Sequence, residues 1–169
     1  AAADADSRGA AAASARAGRL RLLVVDDDES VRELLREILE AEGHAVSAAS
    51  SGPEALSLFR PGDYDAVFTD IGMPGMSGWE FAEAVRRLDG AVPLAVITGW
   101  GEAVGSERQR EAQVDWVVTK PFNATDIVGL AANVAGRLRG ERVEEGLHFA
   151  QARPAAAELS AVTPARRPA

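Results

Sequence analysis

Five short apolar runs, alternating with amphipathic segments between residues 20 and 139, constrain this chain more than any other feature. The runs cover residues 20–25, 45–49, 66–69, 94–98 and 114–119. Most are continuously apolar, the pattern of strands covered on both faces. Between the first two, Val31, Leu34, Leu35, Ile38 and Leu39 recur at helical spacing, with Ser30 as candidate N-cap and Gly43 as stop. Residues 55–59, 79–88 and 127–138 continue the pattern. Residues 102–112 are weakly patterned, because Glu, Arg and Gln outnumber Ala103, Val104 and Ala112. Strand and helix in strict alternation predict an α/β fold with a doubly wound, five-stranded parallel sheet.

The flanks differ from this body. Residues 1–18 contain ten alanines and no large apolar side chain, and read as a disordered leader or linker. Residues 140–169, interrupted by Pro154, Pro164 and Pro168, read as a flexible tail with a short helix around 143–149. The domain is therefore expected over 20–139. A formal charge of −8 argues against a protein that coats nucleic acid. The absence of cysteine excludes disulfides, thiolate-bound zinc and thiol catalysis. With no signal peptide in the first eighteen residues and no apolar run near the ~18 residues of a membrane span, a cytoplasmic chain without membrane insertion is expected.

In such a sheet, ligands sit beyond the carboxyl ends of the strands. The first run is followed by Asp26, Asp27 and Asp28, and the third by Asp70. The fourth ends in Thr98 and the fifth is followed by Lys120, the only lysine in the chain. The strand order 2-1-3-4-5 sets those four tips side by side, while the second strand ends at the edge in Ser50 and Ser51. Carboxylates gathered there repel one another unless a cation lies among them. A hard divalent ion such as Mg²⁺ suits that environment. Lys120 offers a point charge for a phosphoryl oxygen, and Thr98 a hydroxyl donor. These parts together describe phosphoryl transfer onto a carboxylate.

The segments LLVVDDDES, FTDIGMPGMSG, AVITG and VVTKPF stand in order over the whole body. This set resembles the four signatures of the response regulator receiver domain of two-component phosphorelays, a flavodoxin-like fold. The resemblance implies that Asp70 is the phosphoacceptor and that Mg²⁺ is held by Asp26, Asp27, Asp70 and the backbone carbonyl of Gly72. It implies that Thr98 and Lys120 bind the phosphoryl group and that Pro121 follows a cis peptide bond. The donor it implies is a phosphohistidine on a histidine kinase or phosphotransfer protein. The output it implies is a conformational change read by a protein partner; direct nucleic-acid binding is not expected, because thirty tail residues of Ala, Pro and Arg cannot build a DNA-binding domain. The chain is then a self-phosphorylating switch rather than a turnover enzyme, with kinase activity only as part of a longer hybrid histidine kinase. Two settings stand open, a free-standing regulator acting by protein contact and the carboxyl-terminal receiver of such a hybrid kinase; the Ala-rich leader without Met, the Thr98-Gly99-Trp100-Gly101 loop and Val117 are similar to the second. Val117 also marks a departure. It stands where the family often carries a switch aromatic, with Trp116 one step earlier and on the other face. Trp100, two residues after Thr98, is the candidate to shield the phosphoryl group in place of a larger residue at Gly72.

Simpler readings exist for each part. Asp26, Asp27 and Asp28 suit a helix N-terminus, and Asp70 before a glycine-rich loop suits a turn. Gly72, Gly75 and Gly78 superficially resemble a phosphate loop, but Pro74 removes a donor and no Gly-Lys-Ser/Thr follows. His44 and His148 fall outside the core, which excludes serine–histidine catalysis and argues against a histidine metal site. An enzymatic alternative is a haloacid-dehalogenase-like phosphatase, whose D-x-D-x-[TV] motif Asp26-Asp27-Asp28-Glu29-Ser30 resembles, with Asp26 and Asp28 as its acids. That alternative lacks an acidic pair after Lys120 and leaves Asp70 without a role.

Overall fold

Backbone pairing follows the apolar runs closely in the computed structural model, which describes residues 18–99 and 106–141 and the backbone of 148–149. The strands are β1 (Arg21–Val25), β2 (Ala45–Ala49), β3 (Ala66–Asp70), β4 (Leu94–Thr98), β5 (Trp116–Thr119) and β6 (His148–Phe149). The helices are α1 (Glu29–Ala41), α2 (Gly52–Leu58), α3 (Gly78–Leu88), α4 (Ser106–Glu111) and α5 (Ala124–Leu138). All strand pairs are parallel, in the order β2-β1-β3-β4-β5-β6. The first five strands thus stand in the order 2-1-3-4-5 expected from the sequence.

Each central strand sends alternate residues to opposite faces. Leu23, Val25, Val67, Val96 and Val117 pack toward Phe59, Phe81, Ala82 and Val85 of the α2–α3 side. Leu22, Val24, Phe68, Ile97, Trp116 and Val118 pack toward Leu35, Leu39, Ile127, Leu130 and Val134 of α1 and α5. Both faces are dry, which is why the runs carry so few polar residues. Trp116 and Val117 fall in different cores, as their alternation requires.

Several boundaries differ from the sequence expectation. The N-cap of α1 is Asp28 rather than Ser30: its carboxylate accepts the N–H groups of Ser30 at 2.9 Å and Val31 at 3.2 Å. Either residue type can cap, and Asp28 is the last extended residue before the helix. Gly43 terminates this segment at φ +87°, a backbone region that favours glycine. The fifth strand begins at Trp116 rather than at residue 114, because Val114 still donates its N–H to the Gln109 carbonyl at 3.0 Å. The weakly patterned segment does contain a helix, α4. A two-residue sixth strand pairs Val117 with His148 and Val118 with Phe149, where a short helix was expected. The outer edge of β5 presents unpaired backbone groups, and pairing with them overrides weak side-chain preference. Most of the expected leader (1–18) and much of the expected tail (140–169) lie outside the described residues.

Candidate functional site

Strand register assembles the site. Val25 is opposite Thr69, Asp70 is opposite Ile97, and Thr98 is opposite Thr119. Asp26, Asp70, Thr98 and Lys120 therefore lie at the tips of four adjacent strands or one residue beyond. Asp26 is buried at 1% exposure and Asp70 at 8%, while Asp27 is exposed at the mouth. One carboxylate oxygen from each of the three lies within 4.8 Å of the others.

The ammonium of Lys120 bridges the two buried acids. Nζ donates to Asp26 Oδ2 and to Asp70 Oδ1, each at 2.9 Å. The other oxygen of Asp26 accepts the Asp28 N–H at 2.9 Å, and Asp70 Oδ2 accepts the Gly72 N–H at 2.6 Å. The Lys120 N–H donates to the Thr98 carbonyl at 2.7 Å, and its peptide bond to Pro121 is cis. Thr98 itself is fully buried at the end of β4.

Charge and burial oppose each other here. Burial raises the pKa of Asp26, and the nearby charge of Asp70 adds to it, against the hydrogen bonds from Lys120 and the Asp28 N–H. Burial alone would lower the pKa of Lys120. Its bonds and attraction to Asp26 and Asp70 outweigh that and hold the ammonium above its ordinary value. The lysine thus stays charged between two carboxylates.

Two contributors escaped the sequence reading. Gly78, at the start of α3, donates its N–H to the Ile71 carbonyl at 3.0 Å, and a Cβ there would lie 2.0 Å from the Asp70 carbonyl oxygen. Only glycine lets α3 approach β3 so closely. Arg32 donates from Nη1 to the Asp26 carbonyl at 2.7 Å. Its one sequence signal is a cation in the first turn of a helix, where the dipole disfavours it. Of the residues singled out beforehand, Asp26, Asp27, Asp70 and Lys120 come together, Thr98 stands at the adjacent tip, and Gly72 contacts Asp70 through its N–H. Val117 is buried on β5. Trp100 lies outside the described residues.

Residues 22–132 match the family model of the response regulator receiver domain. The chain belongs to that family. It is 35% identical over 108 residues to the transcriptional regulatory protein ResD of Bacillus subtilis, covering 64% of this chain and 45% of ResD. It is 32% identical over 114 residues to the chemotaxis protein CheY of Halobacterium salinarum, covering 68% of this chain and 95% of that protein. The non-phosphorylated HemR receiver domain of Leptospira biflexa superposes with a TM-score of 0.64 at 29% identity, covering 69% of this chain and 94% of that domain. The chain spans about half the length of the first curated relatives it matches, 45% and 47%. In this receiver the hard oxygen donors of Asp26, Asp27 and Asp70 suit Mg²⁺, which prefers carboxylates and water to nitrogen or sulfur. Among the described residues no helix is long and apolar enough to cross a membrane.

Proposed function

We propose that this receiver takes a phosphoryl group from a phosphohistidine, on a histidine kinase or phosphotransfer protein, onto Asp70. The observation that carries the reading is Lys120 held at 2.9 Å from both Asp26 and Asp70. That places a permanent cation beside the carboxylate that must attack an anionic group. A carboxylate oxygen of Asp70 forms the new O–P bond while the P–N bond to the donor imidazole breaks, and the imidazole leaves with the electron pair. Lys120 exchanges a carboxylate partner for a phosphoryl oxygen, and the Thr98 hydroxyl donates to another. Asp26, Asp27, Asp70 and the Gly72 carbonyl hold Mg²⁺, which when bound offsets the charge of the carboxylates and the incoming phosphoryl oxygens.

The reaction modifies the chain once and does not turn over. The output is a change of shape read by a protein partner in the cytoplasm, without direct nucleic-acid contact, a reading favoured by the net charge of −8. The chain acts as a kinase only if it is part of a longer hybrid histidine kinase. The phosphatase alternative finds less support, because Asp28, its second acid, is engaged in capping α1. Asp70→Asn tests the proposal. It keeps size and hydrogen bonding while removing the nucleophile, so labelling by a small phosphodonor with Mg²⁺ should vanish. Undiminished, hydroxylamine-sensitive label on the variant would mean that another carboxylate is the acceptor.

A further inference from the structure

We propose that Arg32 is a positioning residue for the metal-holding loop, fixing through the Asp26 carbonyl the peptide that joins Asp26 to Asp27. The inference rests on the Mg²⁺ reading given above. Arg32 is the fourth residue of α1, half-buried, and a cation in that first turn opposes the helix dipole. The stability of α1 therefore gives no reason for an arginine there. The contact it makes does. Its guanidinium Nη1 donates to the Asp26 carbonyl at 2.7 Å, a short, charge-assisted bond across the turn from β1 to α1.

The two sides of Asp26 are then both held. Its N–H donates to the Ala49 carbonyl at 3.2 Å, and Arg32 holds its carbonyl. The second of these groups belongs to the peptide whose plane decides where the Asp26 and Asp27 carboxylates point relative to each other. Asp26 is walled in by protein, but Asp27 is exposed and depends on its backbone for direction. The location of the guanidinium agrees with this bridging position. The Glu54 carboxyl, held below its ordinary pKa chiefly by the hydroxyl and N–H of Ser50, is depressed further by the charge of Arg32. Arg32 thus lies between the metal-holding loop and the start of α2.

Arg32 acts on a divalent ion in two opposite ways, which makes its role testable. As a bare charge it repels the ion, so removing it should tighten binding about twofold. As a partner of the ligand loop it orders the donors, and losing such a partner weakens metal binding about tenfold or more. The positioning role predicts the second outcome.

The experiment is a calorimetric Mg²⁺ titration of the full chain, of Arg32→Met and of Arg32→Lys, with the metal-free melting temperature of each. Arg32→Met should weaken Mg²⁺ binding about tenfold. Arg32→Lys keeps a charged donor and should recover most of that loss. Because a single hydrogen bond and no buried apolar group is removed, all three melting temperatures should agree within about 5 °C. Binding by Arg32→Met as tight as, or tighter than, the unmodified chain would overturn the proposal, as would Arg32→Lys no better than Arg32→Met. So would a loss of affinity accompanied by a fall in metal-free melting temperature of more than about 5 °C, the mark of a structural role. Failure of the unmodified chain to bind Mg²⁺ would instead overturn the metal reading itself.

Discussion

Adding a single methyl group at Gly78 should damage both the fold and the site. A Cβ there would lie 2.0 Å from the Asp70 carbonyl oxygen, 2.8 Å from its carbon and 2.9 Å from the Ile71 Cα, against an ordinary contact distance of 3.4 Å or more. All three atoms are backbone, so no side chain can swing aside. The Asp70 carbonyl also accepts the Thr69 hydroxyl at 2.9 Å. Relief therefore requires α3 to move away from β3 by about 1.4 Å, stretching the Gly78–Ile71 hydrogen bond of 3.0 Å. Overpacking of this kind costs about 1–3 kcal/mol, and a weakened backbone bond about 1 more. The better helix propensity of alanine returns at most about 1 kcal/mol. The net expectation for Gly78→Ala is a destabilisation of about 1–3 kcal/mol, or about 4–12 °C in melting temperature. Urea unfolding followed by circular dichroism measures it. Gly90→Ala is the control, since its Cβ would meet nothing nearer than 3.9 Å, and should stay within about 0.5 kcal/mol of the parent. Phosphoryl labelling of Gly78→Ala should also fall, because Asp70 shares the displaced segment. A Gly78→Ala chain as stable as the control would refute the claim that close approach of α3 fixes Asp70.

Mg²⁺ at millimolar concentration should raise the melting temperature of the chain through linkage, and Asp27→Ala should remove both that rise and labelling; indifference of the unmodified chain to Mg²⁺ in differential scanning calorimetry would count against a divalent site. His44 accepts the Leu20 N–H on Nδ1 at 3.2 Å, and burial lowers its pKa against the weaker opposing pull of Glu42. A depressed folded-state pKa means stability that is intact above the ordinary value of about 6.5 and is lost as pH falls below it. Urea midpoints measured between pH 8 and 5 should show that loss in the parent and a smaller one in His44→Gln. Phosphorylation, or a beryllofluoride mimic with Mg²⁺, should alter amide exchange in residues 99–112 more than in β5, because Val117 is buried and β-branched and has few rotamers to exchange. Changes centred on 114–118 with 99–112 silent would contradict that.

The legible part of this protein was the part set by one-dimensional pattern. Strands buried on both faces must be apolar without interruption, so β1, β3 and β4 stand out in the chain, and their tips deliver Asp26, Asp70 and Thr98 as soon as the strand order is known. What was not legible depends on proximity in three dimensions. Gly78 looks like any loop glycine until α3 is laid across the Asp70 carbonyl, and Arg32 looks like a solvated helix residue until its guanidinium meets the Asp26 backbone. Val114 is apolar enough to read as strand, yet its N–H belongs to the turn after α4. Ser30 and Asp28 are both good capping residues, and only the backbone path chooses between them. The pairing of His148 and Phe149 with β5 is a backbone event with no side-chain periodicity to announce it.

Phosphopeptide mapping of the intact chain, after reaction with a small phosphodonor, tests the central claim most directly. With Mg²⁺ present, a single phosphoryl group should be found, on the peptide that contains Asp70 and on that residue within it. It should be absent when the metal is chelated. A phosphoryl group on Asp26 or Asp28, or continued release of phosphate without a modified chain, would contradict the account.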